Sequence, residues 1–187
     1  MKISEKKNIN AIVFFASKSP NNEINRLKLM KLLWLADRMH LNKFGRLILK
    51  DKYSALPHGP VPSSTMNSTQ KSIENFFSVN GFTIRATGDF DNRFFSKTDL
   101  QIMYEVWNSF GDKDQFELEK YSHLFPEWLR YKKDLDNNSL PNSYPIVIQD
   151  LFNPPASDAK YHHNEVESNK AKSIFNSHTS IQDFLSR

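Results

Sequence analysis

The chain has 187 residues, of which 39% are hydrophobic and 25% charged, a balance typical of a folded domain. Its length fits one domain, or one domain with a tail. The absence of cysteine excludes a disulfide scaffold, a thiolate zinc site, an iron–sulfur cluster and a cysteine nucleophile. It also fits a reducing cytoplasm, which we predict as the location. No apolar run reaches the ~18 residues of a transmembrane helix, so we predict no membrane partner.

Positive charge is concentrated in the first third of the chain. Residues 1–60 contain twelve basic residues against four acidic ones, whereas residues 61–187 contain 13 against 17. A solvated helical face is the favoured explanation. The alternative is a surface for nucleic acid or for an acidic partner. Because 18 of the 25 basic residues are lysine, any nucleic-acid binding would be non-specific.

Two helices are predicted first. Ser4 is expected to cap the first helix, and residues 19–22 (Ser-Pro-Asn-Asn) end it, with Asn22 as the next cap. The second helix is predicted over residues 23–44, ending at Gly45. Its apolar face is too broad for a surface helix, which indicates the central helix of the core. The spacing of its basic residues predicts an outward-facing stripe, which comprises Lys28, Lys31 and Arg38.

The middle of the chain is richer in turns. Short extended pieces are predicted at residues 47–49 and 53–56, followed by a rigid loop over 57–62. A third helix is expected from Pro62 or Ser63 to about Val79. Alternation over residues 82–86 predicts a β-hairpin that spans 82–95, with its turn at 88–89 or 91–92.

The second half is predicted to be helical again, with a break. Ser96 or Thr98 caps a fourth helix that ends at Gly111, a fifth covers 117–125, and a short turn follows Pro126. Residues 136–143 have linker composition. Beyond them come an apolar piece at 144–152, a polar and potentially helical stretch at 156–178, and a short docking helix at the end, with an apolar face of Ile181, Phe184 and Leu185. The fold is therefore predicted to be mainly α, of the α+β class: a compact helical domain around a long central helix, with a small antiparallel β-hairpin or sheet.

Signatures of catalysis and of cofactor binding are absent from the sequence: there is no phosphate-binding loop, dinucleotide fingerprint or nucleophile elbow. His162, His163, Glu165 and Glu167 have the residue types of metal ligands, but a solvated polar helix is favoured. Ser122 and His123 are adjacent, so on a helix they point about 100° apart, which favours a structural pair over a catalytic one. We therefore predict no catalytic, cofactor-binding or metal-binding residues.

The loop at 57–60 places a histidine on a rigid backbone ahead of a helix. Such a loop can bind an anion, or it can hold neighbouring apolar residues against the long helix. The structural interpretation is favoured.

Two segments together resemble one family. Residues 28–63, KLMKLLWLADRMHLNKFGRLILKDKYSALPHGPVPS, resemble the signature of the Panacea domain, the SocA-like antitoxin and phage-associated protein family. Trp34 stands where a tyrosine is usual, and Leu47 where a proline is usual. Downstream, Leu118, Tyr121-Ser122-His123, Pro126 and Trp128 resemble the family's L-S-H…P-W element. The matching residues, interpreted as structural or partner-binding, are Lys28, Lys31, Leu32, Trp34, Tyr53, His58, Gly59, Pro60, Val61, Ser122, His123 and Trp128.

The resemblance covers about residues 5–133. It predicts a Panacea domain at 1–135 and a C-terminal extension at 136–187, packed on that domain or contacting a toxin. It implies a non-enzymatic bacterial or phage-defence antitoxin, which neutralises a cognate protein toxin by direct binding, or as an adaptor for a ClpXP-type protease. We expect the toxin surface to include the extension and the exposed parts of 45–62. The alternatives are a DNA-binding autoregulator and, less favoured, a small enzyme that uses His58 and His123.

Overall fold

The computed structural model describes residues 2–137, 140–156 and 164–185, with side chains described up to residue 181. The described helices are α1 Ile3–Lys18, α2 Arg26–Phe44, α3 Ser63–Ser68, α4 Lys97–Phe110, α5 Gln115–Ser122, α6 Pro126–Leu129, α7 Lys132–Leu135 and α8 Glu165–Leu185. The described strands are β1 Glu23–Asn25, β2 Tyr53–Leu56, β3 Gly59–Pro62, β4 Phe77–Asn80, β5 Thr83–Ala86 and β6 Tyr144–Pro145. The strands form two antiparallel sheets, ordered β1-β5-β4 and β3-β2-β6. The predicted fold class is confirmed.

The first two helices begin at other residues than predicted. The Glu5 carboxylate accepts a hydrogen bond from the Lys2 amide, so α1 starts before Ser4, which lies inside the helix. Strand β1 intervenes before α2, so Asn22 is not a cap. Instead the Asn25 side chain accepts from the amide of Leu27 at 2.8 Å and caps α2. A side-chain oxygen at this position satisfies amides that have no partner within the helix.

Helix α2 is the central helix, as predicted, and it ends at Gly45 with a φ of 68°. Thirteen of its 19 residues are buried, so almost no face remains for solvent. The reason is its surroundings, because α1, α4, α5, β3 and α8 all pack against it. The predicted outward stripe is therefore wrong: Lys31 and Arg38 are completely buried, and Lys28 is half-buried.

The β2–β3 hairpin corrects two predictions. Most of the expected rigid loop is strand β3, and only Pro57 and His58 form the turn. Proline is tolerated there because β3 lies at the edge of its sheet. Residues 47–49 are not a strand, because the amides of Ile48 and Leu49 bind the Asp37 carboxylate, at 2.5 and 3.0 Å.

The predicted third helix and second hairpin are both displaced. Helix α3 ends at Ser68, and the chain returns as β4, which turns at Gly81 (φ 59°) and pairs with β5. The turn signal at 80–81 thus joins two strands and does not end a helix. The expected return strand is absent from 87–95, where Asn92–Phe94 is a 3-10 turn.

Helix α4 matches its prediction, with Ser96 as the cap: its hydroxyl accepts from the Asp99 amide at 3.1 Å. Helix α5 is shifted toward the N-terminus because Asp114 caps it. A turn of helix, α6, starts at Pro126, where proline is tolerated because it needs no amide partner.

The C-terminal extension packs on the end of α2. Strand β6 adds to β2, and a 3-10 turn follows at Ile148–Phe152. From Glu165 to Leu185 the polar stretch and the expected terminal docking helix form one continuous helix, α8. The side chains of Phe184 and Leu185 lie outside the described part of the chain. Ser168 of α8 is buried, and its hydroxyl donates to Asn42 Oδ1 of α2 at 2.7 Å. The proposed ligands His162 and His163 lie outside the described residues.

Across the described ranges, none of the helices combines the length and the apolar character that a membrane span requires.

Candidate functional site

The family-like residues converge where three parts of the chain meet. Helix α2 supplies Lys31, the β2–β3 hairpin supplies its turn and first β3 residues, and the α5–α6 junction supplies Ser122, His123 and Trp128. These parts are distant in sequence, and their convergence depends on packing around α2. We call the set Lys31, His58, Gly59, Pro60, Ser122, His123 and Trp128 the hairpin junction.

Lys31 is the central residue of the hairpin junction. Its side chain is completely buried, and Nζ donates a 3.0 Å hydrogen bond to the carbonyl oxygen of Pro60. Burial lowers the pKa of Lys31 to about 7, and the nearby charge of Glu119 partly opposes that shift. A lysine ammonium is therefore held against a strand carbonyl with little access to water, an arrangement that ties the hairpin to α2.

Gly59 explains why this approach is possible. Its φ of 96° lies in the region that favours glycine. A Cβ at this position would also collide with Ser122 Oγ, and it would come within 2.7 Å of Lys31 Nζ. Only a residue without a side chain allows strand β3 to approach both α2 and α5 this closely.

The α5–α6 side of the hairpin junction is held by ring stacking and main-chain hydrogen bonds. The imidazole of His123 stacks on the indole of Trp128, with 3.7 Å between ring centroids and 12° between planes. Trp128 Nε1 donates to the Leu56 carbonyl at 2.9 Å. Burial and the charge of Lys31 lower the pKa of His123, and a hydrogen bond to the Pro57 main chain opposes this. Both rings therefore hold the start of the hairpin turn, at Leu56 and Pro57.

Ser122 and His123 do not form a nucleophile–base pair in this arrangement. Ser122 Oγ donates to the Glu119 carbonyl at 2.7 Å, a bond within the last turn of α5. His123 Nε2 is buried without a hydrogen-bond partner among the described residues. The pair contributes to packing at the end of the helix, as the sequence favoured.

His58 is the exposed member of the hairpin junction. Its side chain is 72% exposed, and Nδ1 lies 2.8 Å from Glu119 Oε1. Surface ion pairs of this kind contribute little stability. His58 is therefore the one residue of this set that presents most of its side chain to solvent.

The remaining family-like residues lie elsewhere. Lys28 Nζ donates to the Gly111 carbonyl at 2.6 Å and lies over the ring of Trp107. Leu32 and Val61 belong to the main apolar core, and Tyr53 donates to the Asp37 carboxylate at 2.7 Å. These residues support the elements around the junction.

A second buried network joins α2 to the extension, and sequence reasoning missed it. Arg38 forms a completely buried ion pair with Glu127 of α6 at 3.4 Å, and its guanidinium donates to the carbonyls of Leu151 and Asn153. Trp34 Nε1 donates to Glu127 Oε1 at 3.0 Å, which gives this tryptophan a polar partner. Burial raises the pKa of Glu127, and the charge of Arg38 opposes that rise. The sequence signal was the spacing of Lys31, Trp34 and Arg38 along one face of α2, on a helix whose other faces were already apolar.

Two further carboxylates inside the fold are structural. Burial raises the pKa of Asp37 to about 6, although Tyr53 and two amides bind it. Burial alone would raise the pKa of Asp99, but hydrogen bonds from His40, Lys7 and Ser96 hold it well below its usual range. Neither network was predicted, because each joins residues far apart in sequence.

Within the described part of the chain, no three or more His, Asp or Glu side chains are grouped so that they could hold a metal ion.

Comparison with known proteins gives one match. The family model described as "Antitoxin SocA-like, Panacea domain" matches residues 29–129, which is more than half of the chain and includes every residue of the hairpin junction. No curated protein and no solved structure matches. The match begins just after Lys28 and ends within α6, so α7, β6 and α8 lie outside it. The chain belongs to the family of SocA-like antitoxins that carry a Panacea domain.

Proposed function

We propose that this protein is an antitoxin that neutralises a cognate protein toxin by direct binding and without catalysis. Family membership supports a role in a toxin–antitoxin system. The observation that carries the finer proposal is the burial of the family-like residues: Lys31, Gly59 and Ser122 face the interior and hold the hairpin. Residues committed to internal contacts are not available to a partner, so the toxin surface lies outside them.

The extension is the best candidate for that surface. It lies outside the family match, and its α8 packs on α2 through one side while leaving much of its length exposed. Of residues 45–62, most are buried, and the exposed ones are Lys50, Lys52, Pro57 and His58. A toxin surface on 45–62 is therefore restricted to two short exposed sites, one at Lys50 and Lys52 and one at Pro57 and His58. Helix α8, by contrast, offers a continuous exposed helix.

The decisive experiment tests the neighbouring reading frame. Its product should stop growth when expressed alone and should be harmless when this protein is co-expressed. The two proteins should also co-purify as a complex of fixed stoichiometry. If the neighbouring product proved harmless by itself, or if protection occurred without a complex, direct neutralisation would be wrong.

Toxin abundance separates binding from the adaptor mechanism. For direct binding, the toxin level in co-expressing cells should be the same with and without an active ClpXP-type protease. For an adaptor, the toxin should disappear only when the protease is active, and protection should require it.

The DNA-binding alternative is weakened by the burial of charge. Lys31 and Arg38 account for two of the twelve basic residues in the first third, and neither reaches solvent. A gel-shift assay with promoter DNA over a range of salt concentrations tests what remains, since phosphate contacts weaken steeply as salt rises. Retention at low salt with a steep loss at higher salt would support this alternative.

A further inference from the structure

The two halves of α8 differ in how they are held. In the first half, Ser168 and Ala171 are buried against α2, and the Phe175 ring packs on Phe152 with 5.8 Å between centroids. In the second half, every residue from Asn176 to Ile181 is exposed. The first half therefore fixes the direction of the helix, and the second half extends from the domain.

The exposed half gains little stability of its own. Its hydroxyl side chains bond back to main-chain carbonyls four residues earlier, as for Thr179 to Phe175 and Ser180 to Asn176, both at 3.0 Å. Such bonds slightly destabilise a helix, and Asn, Ser, Thr and His have modest helix propensity. A helical end with this composition and with exposed side chains over residues 176–181 is suited to being completed by a partner.

An apolar stripe runs along α8, and its middle residue, Ile174, lies beside Gly45 at the end of α2. Val166, Ile174 and Ile181 are 66%, 46% and 56% exposed. Their spacing of eight and seven residues places them within an arc of about 80°, over a length of about 23 Å. Ser168 and Ala171, which are buried, lie about 160° and about 100° around the helix from the middle of this arc. The three side chains of the stripe are therefore accessible to solvent in the free protein, although Ile174 also touches the end of α2.

The charges beside the stripe indicate which partner it fits. Lys170 falls inside the same arc, and Lys43 of α2 faces it across an open groove that Val166 and Ile174 also line. Glu167 is the carboxylate in that lining, so cations outnumber anions there by two to one. An apolar stripe beside a cationic groove is complementary to an apolar surface that carries carboxylates.

We propose that the stripe of Val166, Ile174 and Ile181 is the toxin-docking surface, and that its occupant is an amphipathic helix of the toxin with a carboxylate opposite Lys170. A helix lying along a helix matches the straight, regularly spaced stripe. The fixed first half of α8 orients Val166 and Ile174 before binding, which reduces the entropy lost on association. This inference rests on the proposed function and specifies its partner.

The test uses four single variants of the full chain: Ile181→Glu, Val166→Glu, Lys170→Glu and Asn176→Glu. The last is the matched control, because Asn176 is exposed on the same helix but lies about 120° from the stripe. The probe is the toxic product of the neighbouring reading frame. Each variant is first compared with the unaltered protein by circular dichroism and thermal unfolding.

We expect the two apolar-to-Glu variants to bind the toxin at least ~10-fold more weakly, as for anchor residues of other interfaces. Lys170→Glu should weaken binding at low salt and less so at high salt, while Asn176→Glu should bind as the unaltered chain does. Full neutralisation by folded Ile181→Glu and Val166→Glu would overturn the proposed docking surface and leave the proposed function standing. Unchanged or tighter binding by Lys170→Glu would overturn the acidic occupant.

Two other outcomes would also be decisive. A dimer of this chain that Ile181→Glu dissociates would assign the stripe to a second copy and overturn the proposal. Failure of the unaltered chain to bind the toxic product would overturn the proposed function together with this surface, and is thereby distinguishable from failure of the surface alone.

Discussion

Lys31 of the central helix donates a 3.0 Å hydrogen bond to the carbonyl of Pro60, in a strand 29 residues later. This contact joins the two best-defined parts of the family signature and takes place without access to water. The charged form of Lys31 is desolvated there, which lowers its pKa to about 7. The burial of this hydrogen-bonded lysine therefore makes stability depend on pH.

Stability should rise with pH between about 7.5 and 9.5. The folded pKa of Lys31, about 7, lies below the ordinary lysine value of 10.5, so in this window the unfolded chain binds more protons. The free energy of unfolding should therefore increase, by up to ~1.4 kcal/mol per pH unit. Below pH 7 both states are protonated and the slope from this group ends. Urea unfolding at a series of pH values measures it.

Lys31→Met is the control for that dependence. It removes the titrating group, so most of the slope should vanish, while the lowered pKa of Lys28 leaves a smaller slope of the same sign. An unchanged slope in the folded variant would show that Lys31 is not the group responsible.

Gly59→Ala should destabilise the protein by about 2–4 kcal/mol, the sum of backbone strain and a collision in a packed site. The φ of 96° and the closeness of Ser122 and Lys31 both disfavour a Cβ. Gly81→Ala is the matched comparison: its φ is 59°, but nothing lies within 4 Å of the added atom. It should cost only ~1–2 kcal/mol, from strain alone. Equal losses in the two variants, measured by urea unfolding, would contradict the close approach at Gly59.

Arg38→Met should destabilise the protein by about 3–5 kcal/mol, because it leaves Glu127 buried without its counter-charge. It also removes the donors to Leu151 and Asn153, so the extension should become more susceptible to proteolysis. The double variant Arg38→Met, Glu127→Leu should recover part of the loss, since it removes the buried charge. If the double variant lost the sum of the two single losses, the pair would not be coupled.

The same contacts affect the design of truncations. Deleting residues 137–187 would remove the acceptors of Arg38 and the strand β6 that pairs with β2. We expect such a truncation to unfold at a lower urea concentration than the full chain. A loss of neutralisation by it would therefore report stability as well as binding, which is why single substitutions on α8 are the better test.

Ser168→Ala should loosen α8 by about 1–2 kcal/mol, since it leaves the buried Asn42 oxygen without its donor. Ser173→Ala is the control on the same helix, because Ser173 is exposed and bonds only back to Asn169 within α8. Hydrogen exchange of the α8 amides should increase for the first variant and stay unchanged for the second. Equal exchange in both would mean that Ser168 does not anchor the helix.

The sequence was most informative where local chemistry sets the structure. The end of α2 at Gly45 was predicted, and the cap of α4 was narrowed to Ser96 or Thr98, because each depends on one residue and its near neighbours. The family resemblance was also predicted from residue order alone, and the match over residues 29–129 confirms it. The start of α2 was missed because β1 forms by pairing with β5, some 60 residues away in the chain.

Local chemistry did not predict that the side chains of Lys31 and Arg38 face the interior. Lysine and arginine are rarely buried without partners, and those partners are the Pro60 carbonyl and Glu127, which only the folded chain brings near. By itself the sequence determined the class of fold, the central helix and the family, since these follow from periodicity and local motifs. Tertiary structure decided which charges are internal and which face of α8 is exposed, because burial depends on what packs against a helix from elsewhere in the chain.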